Sequence, residues 1–428
     1  MNICVVGTGY VGLVTGVCMS DLGNNVTCVD IDVKKIANLK KNILPIYEPG
    51  LEELIKHNKN RLSFTTNLKA AVQSAEVIFI AVGTPPKENG DANLSYVKQA
   101  AKSVGQYMNN YKIIVDKSTV PIGMGDMVGS IIKENCKNKH QYDVVSCPEF
   151  LKEGSAIHDF MNPDRIVIGA DRKEAAEKVA EIFKPLNAKM VLTDMRSAEM
   201  IKYASNSFLA TKISFINEIA NICERVKADV KIVSEVMGMD KRIGGLFLNA
   251  GAGFGGSCFP KDVAALISIA KSEDYDPIIL NAVVEVNRLQ RKVVLNKIKK
   301  VLGTLEGRSI GILGIAFKPN TDDIREAVAV EIIPTLQEKG CSIKAFDPAA
   351  MENAEKELKG VKFCKDAYAV AKDVECLVVL TEWNEFKELD FEKIKKLMKK
   401  PVIVDGRNIY DPKTMKKAGF EYVGIGRG

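Results

Sequence analysis

A short apolar run, Ile3-Cys4-Val5-Val6, ends in Gly7-Thr8-Gly9-Tyr10-Val11-Gly12. A strand that runs into GxGxxG must turn tightly and launch a helix. The three glycines allow the turn, the close approach of a pyrophosphate, and packing of helix on strand. Free N–H groups at the helix start then face phosphate oxygens. The next apolar run, Val26-Thr27-Cys28-Val29, ends at Asp30, 18 residues past Gly12. A carboxylate about 20 residues on suits ribose hydroxyls and repels a 2′-phosphate, so NAD is expected rather than NADP.

The alternation continues. Val77 to Val82 and Ile113-Ile114-Val115 read as strands, with helix-length stretches such as Gly12 to Leu22 and Leu94 to Tyr107 between them. Repeated strand, helix, strand means a parallel sheet wrapped by helices. Arg165 to Gly169 and Lys189 to Leu192 extend this region to about residue 195. The pattern then changes. Ile201, Phe208, Phe215 and Ile222 recur every seven residues, with Ala204, Leu209, Ile216 and Ile219 beside them. This predicts a long amphipathic helix with one broad apolar stripe. Such a stripe serves either an interface with a second copy or an internal core.

From Arg308 strands return: Ser309 to Ile315, Ile343 to Asp347, Cys376 to Leu380, and Val402-Ile403-Val404. Gly311-Ile312-Leu313-Gly314 answers the opening glycines, and Phe346-Asp347 answers Val29-Asp30. The expected fold is α/β: two doubly wound, Rossmann-like domains, residues 1–195 and 301–428, joined by a central long-helix domain, residues 196–300. A chain of 428 residues suits two or three domains of about 150 residues each.

Other classes are disfavoured. With 46% apolar and 27% charged residues the chain is globular, not disordered. Its apolar runs are far shorter than the about 18 residues of a membrane span. Met1-Asn2 leads into the first strand with no basic start and no cleavage site, so no secretory leader is expected. The net charge of +6 comes from Lys residues spread along the chain, which read as solvated helix faces. No nucleic-acid motif accompanies them, so the surplus suits an anionic small molecule. Ten Cys include no CxxC pair and only three His are present, so no metal site is expected. Free Cys within apolar patterns point to a reducing cytoplasm.

Several segments carry candidate chemistry. Gly83-Thr84-Pro85-Pro86 and Asp116-Lys117-Ser118-Thr119-Val120-Pro121 follow strands. Ligands bind beyond the carboxyl ends of strands in such sheets, although either segment could be a plain loop. Pro148-Glu149-Phe150-Leu151-Lys152-Glu153-Gly154 sets two carboxylates four apart. On a helix they would share a face at a small repulsive cost. Lys202 and Asn206, also four apart, form either an oxyanion-holding pair or a snorkelling Lys and a surface Asn.

The sharpest segment runs from Phe247 to Asp262. Six of the 13 residues from Gly244 to Gly256 are Gly, which lets bare backbone approach a ligand. Pro260 suits the first turn of a helix. Cys258 then stands just before a helix N-terminus beside Lys261, and both features favour the thiolate. Cys258 is therefore a nucleophile candidate.

GxGxxG with Asp30, Ser118-Thr119-Val120-Pro121, Pro148-Glu149-Phe150-Leu151, Lys202 with Asn206, and Gly255-Gly256-Ser257-Cys258-Phe259-Pro260-Lys261-Asp262 occur in this order. Over essentially its whole length the chain resembles the family of UDP-glucose and GDP-mannose dehydrogenases. The resemblance implies an N-terminal NAD domain, a central helical dimerisation domain and a C-terminal UDP-binding domain, assembled as a homodimer. The Cys258 segment, Arg242 and Asn249 resemble the UDP-glucose branch. The alternative is the same chemistry on GDP-mannose or UDP-N-acetylmannosamine.

The resemblance also implies roles. Cys258 is the nucleophile, and Lys202 and Asn206 stabilise oxyanions. Glu149, Glu153, Thr119 and Asp262 hold water and substrate. NAD contacts are implied at Gly7, Gly9, Tyr10, Val11, Gly12, Asp30, Lys35, Thr84, Thr119, Glu153, Lys261 and Arg325. Substrate contacts are implied at Glu149 to Glu153 (with Phe150, Leu151 and Lys152 between), Lys202 and Asn206. Further substrate contacts fall at Arg242, Phe247, Leu248, Asn249, Ala250, Gly251, Gly255, Lys318 and Arg407. The implied reaction is a four-electron oxidation of a primary alcohol to a carboxylate with two NAD. A two-electron dehydrogenase with a Lys and Asn pair is the rival reading, but it leaves Cys258 and the third domain unexplained.

Overall fold

Short runs of β-branched and apolar residues closed by Gly, Asp or Ser form the strands. The structure, a computed structural model, describes residues 1–87 and 90–427. In the first part of the chain lie β1 (Asn2–Val6), β2 (Asn25–Val29), β3 (Leu62–Thr65), β4 (Val77–Ile80), β5 (Lys112–Asp116), β6 (Tyr142–Ser146), β7 (Ile166–Ala170) and β8 (Met190–Thr193). They form one sheet in the order β3-β2-β1-β4-β5-β6-β7-β8. Successive side chains point to opposite faces. Ile3, Val5, Val77, Phe79, Ile113 and Val115 enter one core, and Cys4, Val6, Ile78, Ile80 and Ile114 enter another. Burial on both faces explains why these strands are continuously apolar.

Pairing is parallel throughout this sheet except between β6 and β7, which run antiparallel. An all-parallel sheet was expected. Between β6 and β7 the only helix is the six-residue Ala156–Met161, so the segment folds back instead of crossing the sheet as a full helical connection. The strand order reverses between β1 and β4, so the carboxyl ends of these strands open a crevice.

The later strands are β9 (Ser309–Leu313), β10 (Ser342–Phe346), β11 (Lys362–Phe363), β12 (Cys376–Val379), β13 (Val402–Asp405) and β14 (Glu421–Val423). They form a second sheet, β11-β10-β9-β12-β13-β14, with every pair parallel. Ile310, Ile312, Val378 and Val404 pack on one side, Leu313, Leu377, Val379 and Ile403 on the other.

Contacts divide the chain into two units, Met1–Ser205 with Ala264–Asp274, and Asn206–Val263 with Tyr275–Gly428. The chain passes from the first to the second within the 32-residue helix Met195–Val226. This helix has two apolar stripes where one was expected. Ala198, Tyr203, Ala210, Ile216, Ala220 and Cys223 are buried, whereas Phe208 (64%), Phe215 (46%) and Ile222 (49%) stand exposed. A seven-residue spacing aligns residues along a helix but does not say which line meets the core. Among the described residues no helix is long and apolar enough to cross a membrane.

Candidate active site

The Gly7 to Gly12 turn joins β1 to the helix Tyr10–Asp21. Gly7 has φ +105°, and a Cβ there would stand 2.5 Å from the Ala81 carbonyl oxygen. A Cβ on Gly12 would stand 2.1 Å from the Gly7 carbonyl oxygen. The fold itself therefore demands both glycines. Gly9 differs: its backbone is extended, and a Cβ would meet nothing within 4 Å. The space beside Gly9, at a helix N-terminus whose cap is not made by a side chain, suits a pyrophosphate. Asp30 stands beside this turn, and its Oδ2 accepts from the Thr8 N–H (3.0 Å), the Thr8 hydroxyl (2.6 Å) and Lys35 Nζ (3.2 Å). Burial pushes its carboxyl up, but the Thr8 hydroxyl, the Asp32 and Thr8 N–H groups and the Lys35 ammonium outweigh it and hold it low. An ionised, partly exposed carboxylate is thus fixed where a ribose would lie. These residues fit NAD.

The sequence reading did not single out Glu48. It is buried and accepts from the Tyr10 hydroxyl and from the Gly154 N–H (2.7 Å). Gly154 N–H also donates to the Tyr10 oxygen (2.6 Å), which ties the start of the first helix to the segment that follows β6.

Beyond β4 and β5, the Thr84 hydroxyl donates to the Thr119 carbonyl (2.9 Å) and the Ser118 hydroxyl to that of Val82 (2.8 Å). The two loops are stitched together. Residues 147–153 are not helical, so Glu149 and Glu153 do not share a helix face. Glu149 turns inward and pairs with Lys202 Nζ at 2.8 Å, both groups at most 5% exposed. Its other oxygen accepts from the Leu151 N–H (2.6 Å). Burial pushes the Glu149 carboxyl up, but Lys202, the Leu151 N–H and the charge of Lys117 outweigh it and hold it low. Glu153 is half-buried, whereas Lys152 points outward and pairs with Asp159 (2.9 Å).

In the second unit the Gly-rich segment is clamped on all sides. Asn217 Oδ1 accepts from the Gly251 N–H (2.8 Å) and Gln290 Nε2 donates to the Gly251 carbonyl (2.8 Å). Asn287 accepts from the Phe254 N–H (2.8 Å) and donates to the Phe254 carbonyl (3.0 Å). A Cβ on Gly255 would stand 2.2 Å from the Glu326 carbonyl oxygen, and one on Gly256 would press 2.6 Å from the Phe317 ring. Close packing thus explains several of these glycines. Asn217, Asn287 and Gln290 escaped notice in the sequence. Their signal is an amide in place of an apolar residue on a buried helix face.

This clamped loop delivers Cys258 to the first position before the helix Phe259–Ser272. The Asp262 N–H donates to the Cys258 carbonyl (2.8 Å), so Cys258 opens the first turn. Asp262 is buried; it accepts from Asn206 Nδ2 (2.6 Å) and pairs with Lys261 Nζ (2.5 Å). Of the ten cysteines, Cys258 alone is not buried. Burial pushes the Cys4 thiol up to about 12 and raises those of Cys18, Cys28, Cys147, Cys341, Cys364 and Cys376.

Of the remaining candidates in this unit, Leu248 and Ala250 are buried while Asn249 points outward, and Phe247 adopts φ +65°. Arg407 donates to the carbonyls of Leu380 (2.7 Å) and Gly253 (3.0 Å), so it braces the loop. Arg325 is held by Asp323 (2.6 Å) and Lys318 lies over the Phe317 ring at 5.6 Å. Arg242 is exposed and pairs with Asp240 (2.6 Å). Among the described residues no group of three or more His, Cys, Asp or Glu is gathered to hold a metal ion.

A dinucleotide-binding sheet, a helical segment and a second sheet of the same order, with a lone accessible thiol between them in sequence, define a class of nucleotide-dependent dehydrogenase. Family comparison agrees. Residues 1–187 match the NAD binding domain of the UDP-glucose/GDP-mannose dehydrogenase family, 196–289 its central domain and 311–412 its UDP binding domain. UDP-glucose 6-dehydrogenase TuaD of Bacillus subtilis is 51% identical, covering 100% of this chain and 93% of the relative. UDP-glucose 6-dehydrogenase of Rhizobium meliloti is 47% identical, covering 100% of both. The structure of a UDP-glucose dehydrogenase from Pyrobaculum islandicum superposes with a TM-score of 0.94 at 40% identity, over 100% of this chain and 98% of that one. The chain belongs to the UDP-glucose/GDP-mannose dehydrogenase family.

Proposed function

We propose that the protein oxidises UDP-glucose to UDP-glucuronate with two NAD, through a covalent intermediate on Cys258. The observation that carries this reading is the setting of Cys258. It is the accessible thiol of a chain whose other cysteines are buried, on a clamped loop, one turn from Asp262 held by Asn206 and Lys261. The relatives named above as UDP-glucose 6-dehydrogenases support the substrate.

Residues 1–195 form the NAD domain, 196–300 the dimerisation segment and 301–428 the UDP-sugar domain. Gly7, Gly9, Tyr10, Val11, Gly12, Asp30, Lys35, Thr84 and Thr119 hold NAD, with Glu153, Lys261 and Arg325. When bound there, NAD would supply the hydride acceptor for both oxidations. After the first, the Cys258 thiolate adds to the C6 aldehyde, and Lys202 and Asn206 hold the resulting alkoxide. Loss of the second hydride leaves a thioester. Water positioned by Glu149, Thr119 and Asp262 attacks that carbonyl, the thiolate leaves, and the acid is released. Phe150 to Glu153, Phe247 to Gly251, Gly255, Lys318, Arg407 and Arg242 hold the sugar nucleotide.

The exposed Phe208, Phe215 and Ile222, with Ile232, Val236 and Met239, suit the interface of a homodimer, and the free cysteines suit the cytoplasm. Light scattering tests the first point: a mass near 94 kDa is expected, twice the 46.9 kDa chain, and 46.9 kDa would reject it.

Stoichiometry tests the reaction. Purified protein should form two NADH per UDP-glucose; one NADH would mark a two-electron dehydrogenase. Faster turnover of GDP-mannose or UDP-N-acetylmannosamine would move the substrate within the family. Cys258→Ser should lower overall turnover by about 10³-fold or more while UDP-sugar binding survives. Wild-type turnover in that variant would replace the thioester by hydration of a free aldehyde.

A further inference from the structure

Lys117 is a buried cation to which the mechanism above assigns no role. It follows β5, and its Nζ donates to the Pro148 carbonyl at 3.2 Å, with the Cys147 Sγ at 3.7 Å. It also stands 5.7 Å from the centre of the Phe183 ring. Burying an ammonium is costly unless the site gains by it. The Pro148 carbonyl is one residue before Glu149, and Glu149 carries the buried ion pair with Lys202. The Glu149 carboxylate is thus held by the Lys202 ammonium from the long helix, and the backbone one residue before it by the Lys117 ammonium from the loop after β5.

We propose that Lys117 is a positioning residue: anchored on the Pro148 carbonyl, it fixes Glu149 against Lys202. This deepens, and rests on, the role given to Glu149 above. The Lys117 charge also draws the Glu149 carboxyl down, less than Lys202 and the Leu151 N–H do. The other charged groups around the adjoining cavity of about 80 Å³ are Lys152, Asp159, Asp164 and Arg165. Lys152 and Asp159 pair with each other, and Arg165 lies over the Phe150 ring at 4.0 Å and reaches the Ser205 hydroxyl. Asp116, next in sequence to Lys117, has its carboxyl raised well above the usual range, by burial first and by Glu199 second. Lys202 first and Lys117 after it lower the Glu149 carboxyl.

The sign follows. Without the Lys117 charge the Glu149 carboxyl takes up a proton at higher pH. The acid limb of kcat/KM for UDP-glucose should move to higher pH in Lys117→Met. Lys117→Arg should return the limb to its wild-type position. In a Glu149→Gln background Lys117→Met should leave the limb where it is. Thermal unfolding accompanies each variant; if Lys117→Met does not fold, Lys117→Gln takes its place, because it removes the charge but keeps an N–H donor. A folded, charge-free variant with lower kcat and a wild-type acid limb would overturn the proposal, as would the same shift in the Glu149→Gln background. Absence of UDP-glucose turnover in the wild type would instead sink the parent reading.

Discussion

The two sheets of this chain begin the same way and end differently. Each places its first strand between the second and the fourth. In each, a glycine after that strand donates to the carbonyl ending the neighbouring strand, Gly7 to Val29 (2.8 Å) and Gly314 to Phe346 (2.9 Å). In each, the next residue donates to the carboxylate one further on, Thr8 to Asp30 (3.0 Å) and Ile315 to Asp347 (2.7 Å). There the likeness stops. Asp30 keeps an accessible edge, and a helix starts at Tyr10. Asp347 is fully buried. Its two oxygens take the N–H groups of Ile315, Ala316, Ala349 and Ala350 and the Trp383 indole. Its next helix waits until Val328. The same turn leaves a carboxylate edge open in one sheet and makes a structural keystone in the other, where five protein donors leave the carboxylate no capacity for a ribose.

That contrast can be broken by substitution. Asp347→Ala strands five donors, four of them in buried bonds, and should destabilise the C-terminal sheet by about 3–5 kcal/mol, read by chemical denaturation. A loss under about 1 kcal/mol would return Asp347 to the ligand-binding kind. Gly314→Ala meets φ +89° and the Thr381 Cβ at 2.4 Å, and should cost about 2–3 kcal/mol in the same assay. Asp30→Ala should shift the NAD over NADP preference in kcat/KM by about tenfold while folding stability changes by no more than about 1.5 kcal/mol. If the two cofactors were already used equally by the wild type, the cradle reading of Asp30 would fall. Gly9→Ala should change stability by less than about 0.5 kcal/mol, since its Cβ has space, and raise the KM for NAD severalfold. Stability lost in Gly9→Ala without any change in KM would erase the distinction between the two turns.

Much of this was open to a reader of the chain alone. β1, β4, β5, β9, β12 and β13 are interior strands buried on both faces and announce themselves as short apolar runs, and β2 and β10 beside them were legible from the Asp that follows or ends each run. The strands that escaped are different in kind. β3, β11 and β14 lie at or near sheet edges, with sequences such as LSFT, KF and EYV whose burial alternates or is slight. β6 carries Tyr142 and Asp143 half-buried and escaped with them.

Local chemistry is what the order of residues determined by itself. Gly7 is glycine because its turn holds it at φ +105°, Gly12 because its Cβ would meet the Gly7 carbonyl, and Pro260 suits the first turn of the helix that Cys258 precedes. Tertiary structure decided what depends on partners distant along the chain. It turned Glu149 inward onto Lys202, 53 positions later, where the spacing suggested a helix face shared with Glu153. It set Phe208, Phe215 and Ile222 outward on the long helix and Ile216 and Ala220 inward. It gave Asp30 and Asp347 opposite fates although both follow the same turn. A residue's neighbours in the chain fix its backbone options and its intrinsic chemistry, but burial and the count of donors around a charge depend on which distant segments pack against it, and those set what the charge is free to do.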